Sequence, residues 1–138
     1  MDLLKYGDIV PAKSIGCFEI GSNRNKIVSL FGGNYETEAR TNCSVIQTEN
    51  LWFWIDHTDL VFQIRAFNGF CGTLGGKIGI GNTLVDVENH FGKCNYEKYI
   101  YLISNIPGIC FELKDTEDYD EEWNEMSAPI ESIYVFGT

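Results

Sequence analysis

Three things are missing from this chain: a Cys-x-x-Cys spacing, an apolar run of membrane-spanning length, and any surplus of positive charge. Each absence removes a class of function. The five cysteines (Cys17, Cys43, Cys71, Cys94 and Cys110) form an odd set with no ligand spacing, so neither a zinc cage nor a disulfide framework is indicated. Reduced, mostly buried thiols are expected instead, because free cysteine packs as a small hydrophobe. No apolar run approaches the roughly 20 residues of a transmembrane helix. The opening MDLLKYGDIVPAK shows neither a basic leader nor an apolar h-region, so a cytoplasmic protein without membrane contact is expected. Ten Lys and Arg against 20 Asp and Glu leave a net charge of −10. That balance disfavours direct binding to nucleic acid or to an anionic membrane and favours a basic partner.

Signatures of chemistry are missing too. The glycine cluster GTLGGKIGIGNT, residues 72–83, fails as a phosphate loop, because Cys71 stands where the first Gly belongs and Ile78 where Ser or Thr must follow Lys77. It fails as a dinucleotide motif because Leu84 occupies the third glycine position; turn and strand glycines are the simpler reading. His57 lies in an expected turn and His90 near a helix C-terminus, where the helix dipole accounts for it. Neither has metal-ligand spacing to other His or Cys, and no Gly-x-Ser-x-Gly or HExxH pattern occurs. A non-enzyme without cofactor or metal is the expectation.

What is present is a single-domain length of 138 residues with 44% hydrophobic and 14% aromatic content, enough to bury a real core. An internal repeat organises it. SIGCFEIGSNRNKIVSLFGG matches LGGKIGIGNTLVDVENHFGK at an offset of 60 residues, with Gly16, Ile20, Gly21, Phe31 and Gly32 opposite Gly76, Ile80, Gly81, Phe91 and Gly92. The repeats extend over about 12–70 and 72–138. Each starts with an extended piece ending in Ile-Gly, then an N-cap candidate (Ser22, Asn82), then a helix closed by the Gly after Phe31 or Phe91. Ile27, Leu30 and Phe31, and Leu84, Val87 and Phe91, put one apolar stripe on each helix.

Three strands are expected after each helix: TNCSVIQT, NLWFWID and LVFQIRAF in the first half, YIYLI, GICFEL and IESIYVF in the second. The fold class is therefore α+β, two tandem helix-plus-antiparallel-meander repeats forming a largely antiparallel, continuous sheet with short helices on one face. Helices about 15 Å long cannot cover both faces of such a sheet. Strand alternation then predicts an open face rich in Trp and Tyr: Trp52, Trp54, Tyr99 and Tyr101, joined by Glu112 and Tyr134; packing of these aromatics under loops or against the other half is the alternative.

Most of the acidity is local. Asp115, Glu117, Asp118, Asp120, Glu121, Glu122 and Glu125 crowd one stretch that also holds Tyr119 and Trp123, and outside it 13 acidic residues face 10 basic ones. As a calcium loop it fails, with Trp123 at the glycine position and Pro129 where Glu belongs. A solvated loop, a non-standard cation site and a protein-binding surface all remain open. Binding has one argument in its favour, since aromatic anchors ringed by carboxylates suit a Lys/Arg-rich interface.

Tandem helix-plus-meander halves, each opened by an Ile-Gly strand and closed at Phe-Gly, resemble the β-lactamase-inhibitor-like tandem-repeat fold and small bacterial toxin-immunity proteins of contact-dependent growth inhibition or polymorphic toxin type. The resemblance implies an inhibitor that binds and neutralises a cationic, nuclease-type toxin domain through the acidic stretch and the open aromatic face, acting as a monomer. The competing expectations are a small-molecule-binding or enzymatic domain with a pocket between the halves, and a homodimer formed through the sheet.

Overall fold

A computed structural model describes residues 3–114 and 124–138. Strands β1 (Ile9–Val10), β2 (Ser14–Ile15) and β3 (Phe18–Glu19) form a small antiparallel sheet. Helix α1 (Arg24–Phe31) leads into β4 (Glu36–Ala39), β5 (Ser44–Gln47), β6 (Leu51–Ile55) and β7 (Val61–Phe67). Helix α2 (Leu84–Phe91) leads into β8 (Cys94–Glu97), β9 (Ile100–Ile103), β10 (Ile106–Leu113) and β11 (Ile130–Phe136). The last eight strands form one sheet in the order β4-β5-β6-β7-β11-β10-β9-β8, every pairing antiparallel. The α+β class and the single continuous sheet hold as expected. Among the described residues no helix is long and apolar enough to cross a membrane.

Each half is a four-strand meander, not three. The added strands, ETEA and CNYE, lack apolar alternation because they are the outer edges of the sheet and are almost wholly exposed; charged, polar edges discourage pairing with other chains. Pro107 and Gly108 lie inside β10, where the register to β9 shifts between Ile106 and Cys110. The expectation of mostly buried thiols is also corrected. Only Cys110 is buried, while Cys17 and Cys71 lie exposed in turn and loop segments.

The repeat is visible in the hydrogen bonds. Gly21 N donates to Val61 O at 2.8 Å and Val61 N to Ser22 O at 2.8 Å; at the matching place Gly81 N donates to Ile130 O at 2.9 Å and Ile130 N to Asn82 O at 2.7 Å. Each Ile-Gly element is thus pinned to the start of its half's last strand, and those two strands, β7 and β11, pair with each other at the sheet centre. Because Ser22 and Asn82 are held by these bonds, the N-caps fall one residue later. Asn23 Oδ1 accepts from Lys26 N at 2.8 Å, and Thr83 forms a capping box with Asp86. Gly32 and Gly92 end the helices at φ of 80° and 107°, backbone that L side chains rarely adopt.

Cross-strand pairing sorts the sheet into two faces. Leu51, Ala66, Ile133, Phe111 and Tyr101 lie in one register row, and Phe53, Ile64, Val135 and Ile109 in the next, all buried. Ile27 of α1, Leu84 and Val87 of α2, and Ile9, Ile15 and Phe18 of the small sheet pack onto this face. Phe18 meets Phe53 edge-on at 5.0 Å and Phe31 stacks over Phe53 at 6.0 Å. Fully burying one such side chain contributes roughly 1.5–3 kcal/mol.

The segment before β1 runs along the link between the halves. Cys71 N donates to Lys5 O at 2.7 Å and Ile9 N to Thr73 O at 2.9 Å. The approach is so close at Gly72 that an added Cβ would strike the Gly7 carbonyl and the Phe70 ring. We predict that Gly72→Ala destabilises the fold by about 1–3 kcal/mol or more, whereas Gly33→Ala, which meets open space, changes stability by less than about 0.5 kcal/mol. Denaturant unfolding of the two variants side by side checks this, and equal midpoints would contradict it.

Candidate binding face

Among the described residues, no helix lies on the opposite face of the sheet. Its central register row runs Gln47, Trp52, Arg65, Tyr134, Cys110, Leu102, flanked by Trp54, Gln63 and Phe136 on one side and Phe67, Ser132 and Glu112 on the other. The strands place these side chains together because each alternates with a core residue: Trp52 and Trp54 with Leu51, Phe53 and Ile55, Arg65 with Ile64 and Ala66, Tyr134 with Ile133 and Val135.

The aromatic side chains form a connected cluster. Trp52 and Trp54 have ring centroids 5.9 Å apart, Trp52 meets Phe67 edge-on at 5.6 Å, and Trp54 lies 5.9 Å from Tyr134. All four are half-buried, packed on one another and on the sheet with one side to solvent. Arg65 sits among them, its guanidinium carbon 4.1 Å from the Phe67 ring centroid, 5.0 Å from Trp52 and 5.9 Å from Tyr134. Its Nε donates to Ser132 Oγ at 2.9 Å, and Ser132 is fully buried. At the edge Arg40 lies 5.9 Å over Trp54 and pairs with Glu38 at 3.1 Å.

Glu112 belongs to this face and accepts a hydrogen bond from the Tyr134 hydroxyl at 2.6 Å. Burial, and then that carboxylate, push the Tyr134 phenol well above its ordinary value. Burial likewise pushes the Cys110 thiol up to about 12, with the Glu112 charge adding to it, so this cysteine is a poor nucleophile. Among the described residues no group of three or more His, Cys, Asp or Glu is placed to hold a metal ion.

Of the residues expected on the open face, Trp52, Trp54, Glu112 and Tyr134 come together there. Tyr101 does not. Its row is the core row of Phe111 and Ile133, so it lies under the covered face, 7% exposed, and its hydroxyl donates to Glu125 at 3.0 Å. Glu125, expected as a partner contact, is turned to that tyrosine. Tyr99 stands in the β8–β9 turn at φ 74° and 84% exposure, outside both face patterns. Asp115, Glu117, Asp118, Tyr119, Asp120, Glu121, Glu122 and Trp123 lie outside the described residues. Arg65 and Phe67 were missed, although the alternation in LVFQIRAF puts both on the face opposite Ile64 and Ala66.

Clefts adjoin the sheet at several places. One, of about 390 Å³, lies where the halves meet, between Phe67–Gly69, Ile80–Gly81 and Lys114 with Pro129–Glu131. Another, of about 580 Å³, holds Arg24, Asp56, His57 and Asp59, where Arg24 pairs with Asp59 at 2.9 Å and Asp56 accepts from Thr58 and Leu60 in a closed turn. Compared with models of known protein families, with curated proteins and with solved structures, the chain finds no match.

Burial of Tyr101, then its bond to the Glu125 carboxylate and the charge of that group, push its phenol up to about 12. In the unfolded chain the same group ionises near about 10. Between those values the unfolded state has released a proton that the folded state retains, so stability falls as pH rises. We expect Tyr101→Phe to flatten this decline in urea midpoints measured from about pH 9 to 12. Parallel curves for the two proteins would contradict the assignment.

Proposed function

We propose that this protein is a binding protein without catalysis of its own, an immunity-type inhibitor that occupies a cationic protein domain. One observation carries the proposal: the described helices and small sheet cover one side of the large sheet only, and its other side presents a contiguous cluster of Trp52, Trp54, Phe67 and Tyr134. Exposed contiguous apolar surface on a monomeric domain marks an interaction site, and Trp and Tyr are the residues that dominate interface energetics. The charge supports a basic target. Glu112 lies on the face itself, and the chain leaves the same strand toward the acidic stretch immediately after Leu113. A nuclease domain, whose surface must attract phosphate, is such a target. In this reading the aromatic face supplies contact energy, while the carboxylates speed encounter and reject other partners.

A second reading rests on the cleft between the halves, whose volume of about 390 Å³ suits a small ligand. It requires a ligand-dependent rise in melting temperature and no protein partner.

The test is capture of partners from the native host, followed by co-expression with each captured domain. A basic domain that is toxic alone and neutralised by this protein is the expected result. Trp52→Ala combined with Trp54→Ala should weaken that complex at least about thirtyfold, as loss of hot-spot residues does. Replacing Asp118, Asp120, Glu121 and Glu122 by Asn or Gln should chiefly slow association and reduce its salt dependence. Full affinity in both variants would sink the proposal.

A further inference from the structure

Arg65 stands out in a chain of net charge −10. The ion pairs found among the described residues use Arg24, Lys26 and Arg40, and none involves Arg65. Its one hydrogen bond runs from Nε to the buried Ser132 Oγ, which fixes the guanidinium plane and leaves the two terminal nitrogens without a hydrogen-bond acceptor among the described residues. The carboxylate that the register places on this face, Glu112, accepts from Tyr134. Partial burial of an unpaired cation costs solvation free energy. Contacts with the rings of Phe67 at 4.1 Å and Trp52 at 5.0 Å offset part of it but satisfy no N–H.

We infer that Arg65 is a preoriented receptor for a carboxylate, through which an acidic side chain of the partner docks at the centre of the aromatic face. The inference rests on the reading of that face as a protein-binding surface. A planar guanidinium, held through Nε and flanked by rings, presents its remaining N–H groups as a fork that matches a carboxylate with two parallel bonds. The charge balance selects the source. A polyanion such as nucleic acid is repelled by the net charge, whereas a single acidic residue set within a basic surface meets Arg65 while its basic surroundings meet the carboxylates of this chain. Catalytic clefts that act on phosphate esters have that pattern, with acidic general bases among phosphate-gripping Lys and Arg.

The test uses capped tetrapeptides on the full chain: Gly-Phe-Glu-Gly, its neutral isostere Gly-Phe-Gln-Gly, and Gly-Phe-phosphoserine-Gly. Binding is followed by the Trp indole and Arg Nε–H resonances at constant ionic strength. We expect saturable shifts with the Glu peptide, at least about tenfold tighter than with the Gln peptide, as charge-assisted bonds provide. Arg65→Gln should abolish the difference with the remaining spectrum unchanged. If that variant loses its fold, Arg65→Lys takes its place, keeping the charge without the fork and losing most of the preference. Equal binding of Glu and Gln peptides, an undiminished preference in the variant that folds, or tighter binding of the phosphoserine peptide would each overturn the inference. None of these outcomes depends on whether a toxic domain is neutralised, so the carboxylate receptor and the inhibitor proposal can fail separately.

Discussion

The structure depends on a mismatch of coverage. Eight strands at the usual spacing make a sheet roughly 34 Å wide, while each helix has eight residues and is about 12 Å long. Two such helices and a small three-stranded sheet suffice for one face, and no further described element covers the other. The bare side must therefore be tolerable to water while its aromatic rings pack on one another. Trp and Tyr, with apolar bodies and polar tips, meet that demand, as do the Arg65 stem and guanidinium lying along the rings. On the proposed reading, the composition that makes the face tolerable to water also equips it to bind.

Repetition explains how so short a chain builds so wide a sheet. In each half an Ile-Gly element clamps the first residue of the last strand, through Val61 or Ile130, and the helix following the clamp packs on the meander. Joining the halves through β7 and β11 buries both central strands between neighbours and leaves β4 and β8 as the edges. The repeat departs from itself at one link. β6 connects to β7 through residues 56–60, closed by Asp56 bonded to Thr58 and Leu60, whereas residues 114–129 connect β10 to β11. A scaffold that needs only a tight turn at that point carries a long acidic connection instead, and added loops on rigid frames commonly carry function.

Much of this was legible because periodicity and glycine placement are local signals. Phe31-Gly32 and Phe91-Gly92 closed both helices as expected, and Leu51, Phe53 and Ile55 separated from Trp52 and Trp54 by alternation alone. The errors arose where a distant partner decides. Glu36–Ala39 and Cys94–Glu97 are strands only because β5 and β9 pair with them, since their exposed positions have no apolar rhythm of their own. Ser22 and Asn82 look like caps until β7 and β11 engage their carbonyls. Tyr101 was assigned to the wrong face because an isolated YIYLI cannot show which parity meets the core; its pairing with Phe111 fixes that. Arg65 was passed over since a single charge in a strand carries no pattern, and its place is defined only by rings from neighbouring strands.

The charge distribution then acquires a spatial order. On the proposed reading, the carboxylates of the acidic stretch attract a basic partner through salt-screened charge, with a reach of about 8 Å at physiological ionic strength. Arg65 has the opposite character. Held among Trp52, Phe67 and Tyr134, it lies in a less polar setting where a pairing, once made, is weakly screened and sensitive to angle. A partner recognised only by positive charge would gain nothing from that cation and would be repelled by it at close range. On the proposed reading, then, Arg65 converts general attraction for basic surfaces into a demand for one that also holds an acidic group at its centre. Selectivity of this kind comes from the repulsive element as much as the attractive one, and here the Arg65 guanidinium and the Glu112 carboxylate lie on one face of one sheet.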